Sequence, residues 1–187
     1  MTNTKFCVVL LTLVLTVANC IAEENWFPHV ASFESSGQVT YAVCDKEMKP
    51  FHTPIADEIY VSDCYDYVDY LTGEMYSIYV YNILKDEKTQ AIAIYLYPSD
   101  YFSGFIYDEF FAFSENLAPV SIGGRFGYID LKGNIVIPAQ WEWAERFQNG
   151  CAMVTYQTKD GYENAWINHD GKIVSLSDPE LSSNNER

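Results

Sequence analysis

The chain writes one pattern twice. "LAPVSIGGRFGYIDLKGNIVIP" (residues 117–138) is followed by "CAMVTYQTKDGYENAWINHDGKIV" (residues 151–174). Phe113, Ala118 and Val120 return 34 residues later as Phe147, Ala152 and Val154, and Tyr128, Gly133 and Val136 return 38 residues later as Trp166, Gly171 and Val174. A repeat this short restricts the fold severely, because one unit cannot bury its own apolar face and has to stack on a neighbour. The change of offset from 34 to 38 assigns extra residues to the second copy, within the polar "YQTKDGYEN". That is expected to be a loop insertion, which repeats tolerate.

The turn chemistry follows from residue type. Asp130 to Gly133 and Asn168 to Gly171 each place Asp or Asn first and Gly fourth, the pattern of a type I turn closed by a glycine in the left-handed region. Asp130, Gly133, Asn168 and Gly171 are therefore the expected structural turn residues. With "LAPVSI", "FGYID" and "NIVIP" as its strands, one copy reads as an antiparallel β-meander, preceded by the aromatic link "YDEFFAFSEN". The expected fold class is mainly β, with stacked antiparallel meanders.

Upstream, "EMYSIYVYNIL" and "AIAIYLYP" are β-branched and aromatic runs on either side of "KDEKTQ", a hairpin signal. From Glu23 to Tyr70 two readings stay open. Thr53 as N-cap, Pro54 in the first turn and Asp57 and Glu58 behind it suit a helix running towards Gly73. The tyrosines and valines of "IYVSDCYDYVDY" suit strands equally. The N-terminal region is thus less regular, with a mixed α/β character left open. Whether it holds decayed repeats is also open: "TYAVCDKEMKPF" and "VYNILKDEKTQAIAI" have the rhythm but not the turn glycine.

The expected division is a signal peptide at 1–22, an acidic, aromatic region at 23–105, two repeats at 106–176 and a polar tail at 177–187. The first stretch has Lys5, then an apolar run from Phe6 to Ala18, too short to span a bilayer, then small residues ahead of Glu23. Cleavage after Ala22 and soluble secretion is the favoured expectation. A lipoprotein acylated at Cys20, membrane-bound only through that lipid, is the alternative. Removing 1–22 takes Lys5 and no acid, so 10 basic residues face 26 acidic ones, a net charge of −16. Such a surface repels phosphate backbones, and nucleic acid is excluded as a partner class. Cys44, Cys64 and Cys151 remain; Cys44 with Cys64 is the local bridge to consider, against three buried apolar thiols.

Each candidate site has a bland counterpart. Asp57, Glu58, Asp63, Asp66, Asp69 and Glu74 form an acidic run that could offer oxygens to calcium, yet no glycine-bearing ligand loop accompanies them, and a solvated face is the favoured reading. Trp141 and Trp143, in "WEWAERF", are the candidate ligand-binding residues, since exposed rings beside carboxylates stack sugars; aromatic strand residues are otherwise core. Glu142 and Glu145 are near each other in sequence, but a glycosidase needs a defined carboxyl separation. His29, His52 and His169 are scattered, with His169 read as a solvated turn residue. No phosphate loop, metal-ligand spacing or serine elbow is present, so no catalytic residue, metal or cofactor is expected.

With those residues in hand, the sequence resembles the WG-repeat (KWG) family of bacterial proteins. Their pattern is visible here as "FSENLAPV", "RFGYIDLKGNIVIP", "FQNGCAMV" and "AWINHDGKIV". Two departures mark degenerate copies: Phe126 stands where the name-giving Trp belongs, and Ala165 replaces the preceding Gly in the second copy. The resemblance implies a β-rich, extracytoplasmic, non-catalytic module that binds or scaffolds an extracellular protein or envelope glycan. The alternatives carried with it are a small carboxylate-dependent hydrolase and a purely structural spacer.

Overall fold

A computed structural model describes residues 28–55, 57–85 and 88–176; the expected signal segment, Cys20 and the tail from 177 lie outside the described residues. The described chain is β throughout, and the strands are ordered into layers. β1 (His29–Ser35) and β2 (Gln38–Cys44) form a hairpin. Three four-stranded antiparallel sheets follow in chain order. The first contains β3 (Ile59–Val68), β4 (Met75–Lys85), β5 (Lys88–Tyr97) and β6 (Tyr101–Phe102). The second contains β7 (Glu109–Phe110), β8 (Leu117–Ile122), β9 (Arg125–Asp130) and β10 (Ile135–Trp141). The third contains β11 (Trp143–Ala144), β12 (Ala152–Thr158), β13 (Gly161–Ile167) and β14 (Ile173–Ser175).

Alternation along each strand explains the stacking. Side chains of one parity on β8 and β9, Ala118, Val120 and Ile129, pack with Ile78, Val80, Ile94 and Leu96 of the first sheet. The other parity, Leu117, Phe126 and Tyr128, packs with Val154, Ala165 and Ile167 of the third. Both faces of the second sheet are thereby buried, which is why "LAPV" is apolar without alternation. On the first sheet, Tyr81, Ala93 and Tyr95 face the β1–β2 hairpin through Val43. The parity that makes Tyr128 fully buried leaves its counterpart Trp166 only half-buried, because the third sheet is the last described layer.

Both predicted tips form as expected. Gly133 and Gly171 have φ of +81° and +76°. The Asp130 carboxylate accepts from the N–H groups of Lys132 (2.9 Å) and Asn134 (2.8 Å), and the Asn168 side-chain oxygen accepts from Asp170 (3.1 Å) and Lys172 (3.0 Å). Each tip rests on the sheet before it. A Cβ on Gly133 would run into the Tyr101 ring, and one on Gly171 would lie 3.0 Å from Ile137 Cγ2.

Four sequence expectations change. The helix considered from Thr53 towards Gly73 is absent: Ile55 exchanges backbone hydrogen bonds with Tyr41 (2.7 and 2.9 Å), and 59–68 is strand β3, paired with β4 from Ile59↔Ile83 to Val68↔Met75. Its β-branched and aromatic side chains lose less freedom there than in a helix. The added residues of the second copy do not form a loop. They lengthen the β12–β13 hairpin evenly, and its paired register runs unbroken from Ala152↔Ile167 to Thr158↔Gly161. An even addition leaves every side chain on its own face. A fourth strand, β7 or β11, precedes each meander, two residues long in both cases. Finally, "CDKEMKP" builds the same tip as the repeats. Asp45 accepts from Glu47 (3.0 Å) and Lys49 (2.8 Å), and Met48 occupies the glycine slot at φ +63°. Its rhythm was that of the repeat because its hydrogen bonding is.

Candidate binding surface

The two tryptophans of "WEW" part company where the chain crosses between sheets. Trp141 ends β10 and pairs with Phe126 in the second sheet; Trp143 opens β11 and pairs with Thr155 in the third. Residues two apart on one strand share a face, but these two belong to different strands. Trp141 is 8% exposed, a core residue edge-on to Tyr156, and its indole N–H is buried without a hydrogen-bond partner.

Trp143 is 40% exposed. Its ring lies edge-on to Phe111 (centroids 5.5 Å apart) and tilted on Phe126 (5.2 Å). Phe111 and Phe126 stack on one another, which fixes the platform under the indole. The exposed side opens on a shallow depression of about 220 Å³ lined by Phe111, Trp143, Ala144, Glu145, Arg146 and Gln148. The loop that carries Glu145 is anchored from below: the Tyr128 hydroxyl donates to the Glu145 carbonyl at 2.8 Å, and burial pushes that phenol well above the ordinary tyrosine range. One aromatic face, one carboxylate, one guanidinium and one amide converge here. They can stack a flat apolar surface and hydrogen-bond around its rim.

The remaining candidates are committed elsewhere. Glu142 is ion-paired with Arg125, and of the two glutamates only Glu145 lines the depression. Asp63 accepts from the Cys64 N–H (2.9 Å), Asp66 from the Ser77 hydroxyl (2.7 Å), and Asp69 from Leu71 and Thr72 in the β3–β4 turn. Among the described residues, no three His, Cys, Asp or Glu side chains are placed to hold a metal. Cys44 is a fully buried thiol, pushed up to about 11 by burial and, less, by Asp45. His169 is more than a solvated turn residue: Nε2 lies 2.8 Å from Glu115 Oε2, and the ring stacks on Phe147 at 4.5 Å.

Those contacts belong to a row of turns that ties the layers together. The Asn116 N–H donates to the Tyr67 hydroxyl and its side-chain amide to Asp69, both at 2.8 Å; Gly150 N–H donates to Glu115 (3.0 Å). Sequence reasoning found Trp143 but not Phe111, Arg146 or Gln148, whose convergence depends on the sheet crossing.

Two stretches, residues 104–126 and 126–156, match the family described as WG containing repeat. No curated protein matches the chain. The C-terminal half therefore carries two copies of the WG containing repeat. The second match begins at Phe126, inside β9, and ends at Tyr156, inside β12. This second unit thus joins β9 and β10 of the second sheet to β11 and β12 of the third and staples the two layers covalently, whereas the strands of the first match, β7, β8 and the start of β9, all lie in the second sheet.

Proposed function

We propose that this WG-repeat chain is an exported, non-catalytic binding or scaffolding module, and that the Trp143 depression is its contact surface for an envelope glycan or an extracellular protein. The observation that carries the reading is the exposed indole held on the Phe111–Phe126 platform with Glu145, Arg146 and Gln148 at its rim. A sugar ring suits that chemistry: its C–H face stacks on the indole and its hydroxyls reach the polar rim. The leader-like first 22 residues and the net negative charge favour a site of action outside the cytoplasm. Release in soluble form is favoured over acylation at Cys20.

The test is retention of the full chain on immobilised envelope polysaccharides and extracellular proteins, with Trp143→Ala and Trp143→Phe alongside. Loss with Ala and partial retention with Phe supports the reading. Equal retention of Trp143→Ala and wild type removes the depression from the contact surface, and no retention of folded protein on any material favours a structural spacer. Trp141 is not a suitable probe, because its truncation empties the core between the second and third sheets.

A further inference from the structure

We propose that the outer edge of β3 receives a basic, extended peptide segment of a partner protein as an added strand. The surface is separate from the Trp143 depression and does not rest on it.

β3 is unlike the other edges of the four-stranded sheets. Folded proteins keep exposed edges short, bent or charged, because a row of unpaired backbone groups is a template for another strand. β6, β7 and β11 are two residues long and β14 three. β10 is longer but breaks register twice and contains Pro138. β3 runs for ten residues at the edge of the first sheet, and among the described residues no strand pairs with its outer side. Past a single irregularity between Val61 and Asp63, its register to β4 is continuous. Val61 and Val68 are half-exposed along it, and Tyr70 and Leu71 stand exposed just beyond its end.

The charge identifies the occupant. From Phe51 to Leu84 every residue of fixed charge is acidic: Asp57, Glu58, Asp63, Asp66, Asp69 and Glu74. Lysine is the usual guard of an edge, and here acids stand in its place. They repel a second copy of this acidic chain and attract a cationic strand. The spacing adds selectivity. Asp63 and Asp66 pair with Val80 and Ser77, three residues apart, so they project from opposite faces of the sheet. A complementary strand carries Lys or Arg at two positions three apart, one cation for each face; a pair two apart puts both on one face and leaves one acid unmatched. Added strands bind through backbone hydrogen bonds, with alternate side chains giving specificity.

The test is fluorescence anisotropy of a labelled ten-residue, valine- and threonine-rich peptide with lysines three apart, titrated with the full chain. Saturable binding is expected, weakened by salt and roughly ten-fold weaker for lysines two apart or for the protein variant Asp63→Asn/Asp66→Asn. Backbone N-methylation at alternate positions of the peptide is expected to abolish binding, which keeps the test decisive if the protein variant folds poorly. Trp143→Ala is expected to leave peptide affinity unchanged, separating this surface from the ligand depression. Absence of saturable binding, equal binding of the N-methylated peptide, or self-association of the chain through β3 that excludes the peptide overturns the proposal.

Discussion

The tips at 45–48 and 130–133 fold alike and are built differently. In both, an aspartate accepts from the N–H groups two and four residues on. In the first, Met48 takes the left-handed position; in the second, Gly133 does. The difference lies in what surrounds the fourth residue. Met48 is exposed, and its side chain has room. Gly133 is pressed onto the Tyr101 ring of the preceding sheet. The aspartate makes the turn, whereas the glycine is demanded by stacking. The same logic separates Gly127 from Ala165. A Cβ on Gly127 would meet the β10 backbone, including Ala139 N at 2.7 Å and Pro138 C at 2.8 Å. At Ala165 a methyl group fits, where the following strand pairs only from Ile173 to Ser175.

Substitutions at these glycines and at Met48 are expected to differ widely in cost. Gly127→Ala is expected to cost roughly 3 kcal/mol or more, since backbone cannot yield as a side chain can; a melting temperature equal to wild type would show that β10 does not approach there. For Gly133→Val the expected loss is about 2–3 kcal/mol, the left-handed penalty together with overlap on Tyr101, measured by urea denaturation. Gly171→Val should lose about 1–2 kcal/mol, nearer the conformational penalty alone, because a Cβ there would come only to 3.0 Å from Ile137 Cγ2 and not into the neighbouring side chain as at Gly133. If Gly171→Val proves as costly as Gly133→Val, the ranking by neighbour fails. Met48→Gly is the smallest and has the opposite sign: relief of a left-handed non-glycine residue is expected to raise stability by about 0.5–1 kcal/mol, and a drop in the denaturation midpoint would mean that the methionine makes contacts that matter.

The parts of the fold that could be read from the sequence are those set by local chemistry. The Asp-to-Gly spacing located both C-terminal tips, and apolar runs located β8, β9, β10, β4 and β5. What escaped is set by neighbours. The tip at 45–48 has the exposed Met48 in the left-handed position where the other tips have glycine, so the usual signal is missing although the hydrogen bonding is the same. β3 carries helix-start residues ahead of a strand, and pairing with β4 decides between them. β7 and β11 are too short to show any period. Trp141 and Trp143 look equivalent in sequence, and only the crossing between sheets sends one into the core and the other to the surface.

Each glycine tip of the C-terminal meanders is a contact between layers. A double-mutant cycle tests it most directly, with Gly133→Ala measured in wild-type and Tyr101→Ala backgrounds by equilibrium denaturation. If the tip is seated on the Tyr101 ring, removing the ring makes the alanine cheaper by on the order of 1 kcal/mol or more. Additive losses would mean that the tip of the second sheet does not bear on the first, and that the layers are held together without it.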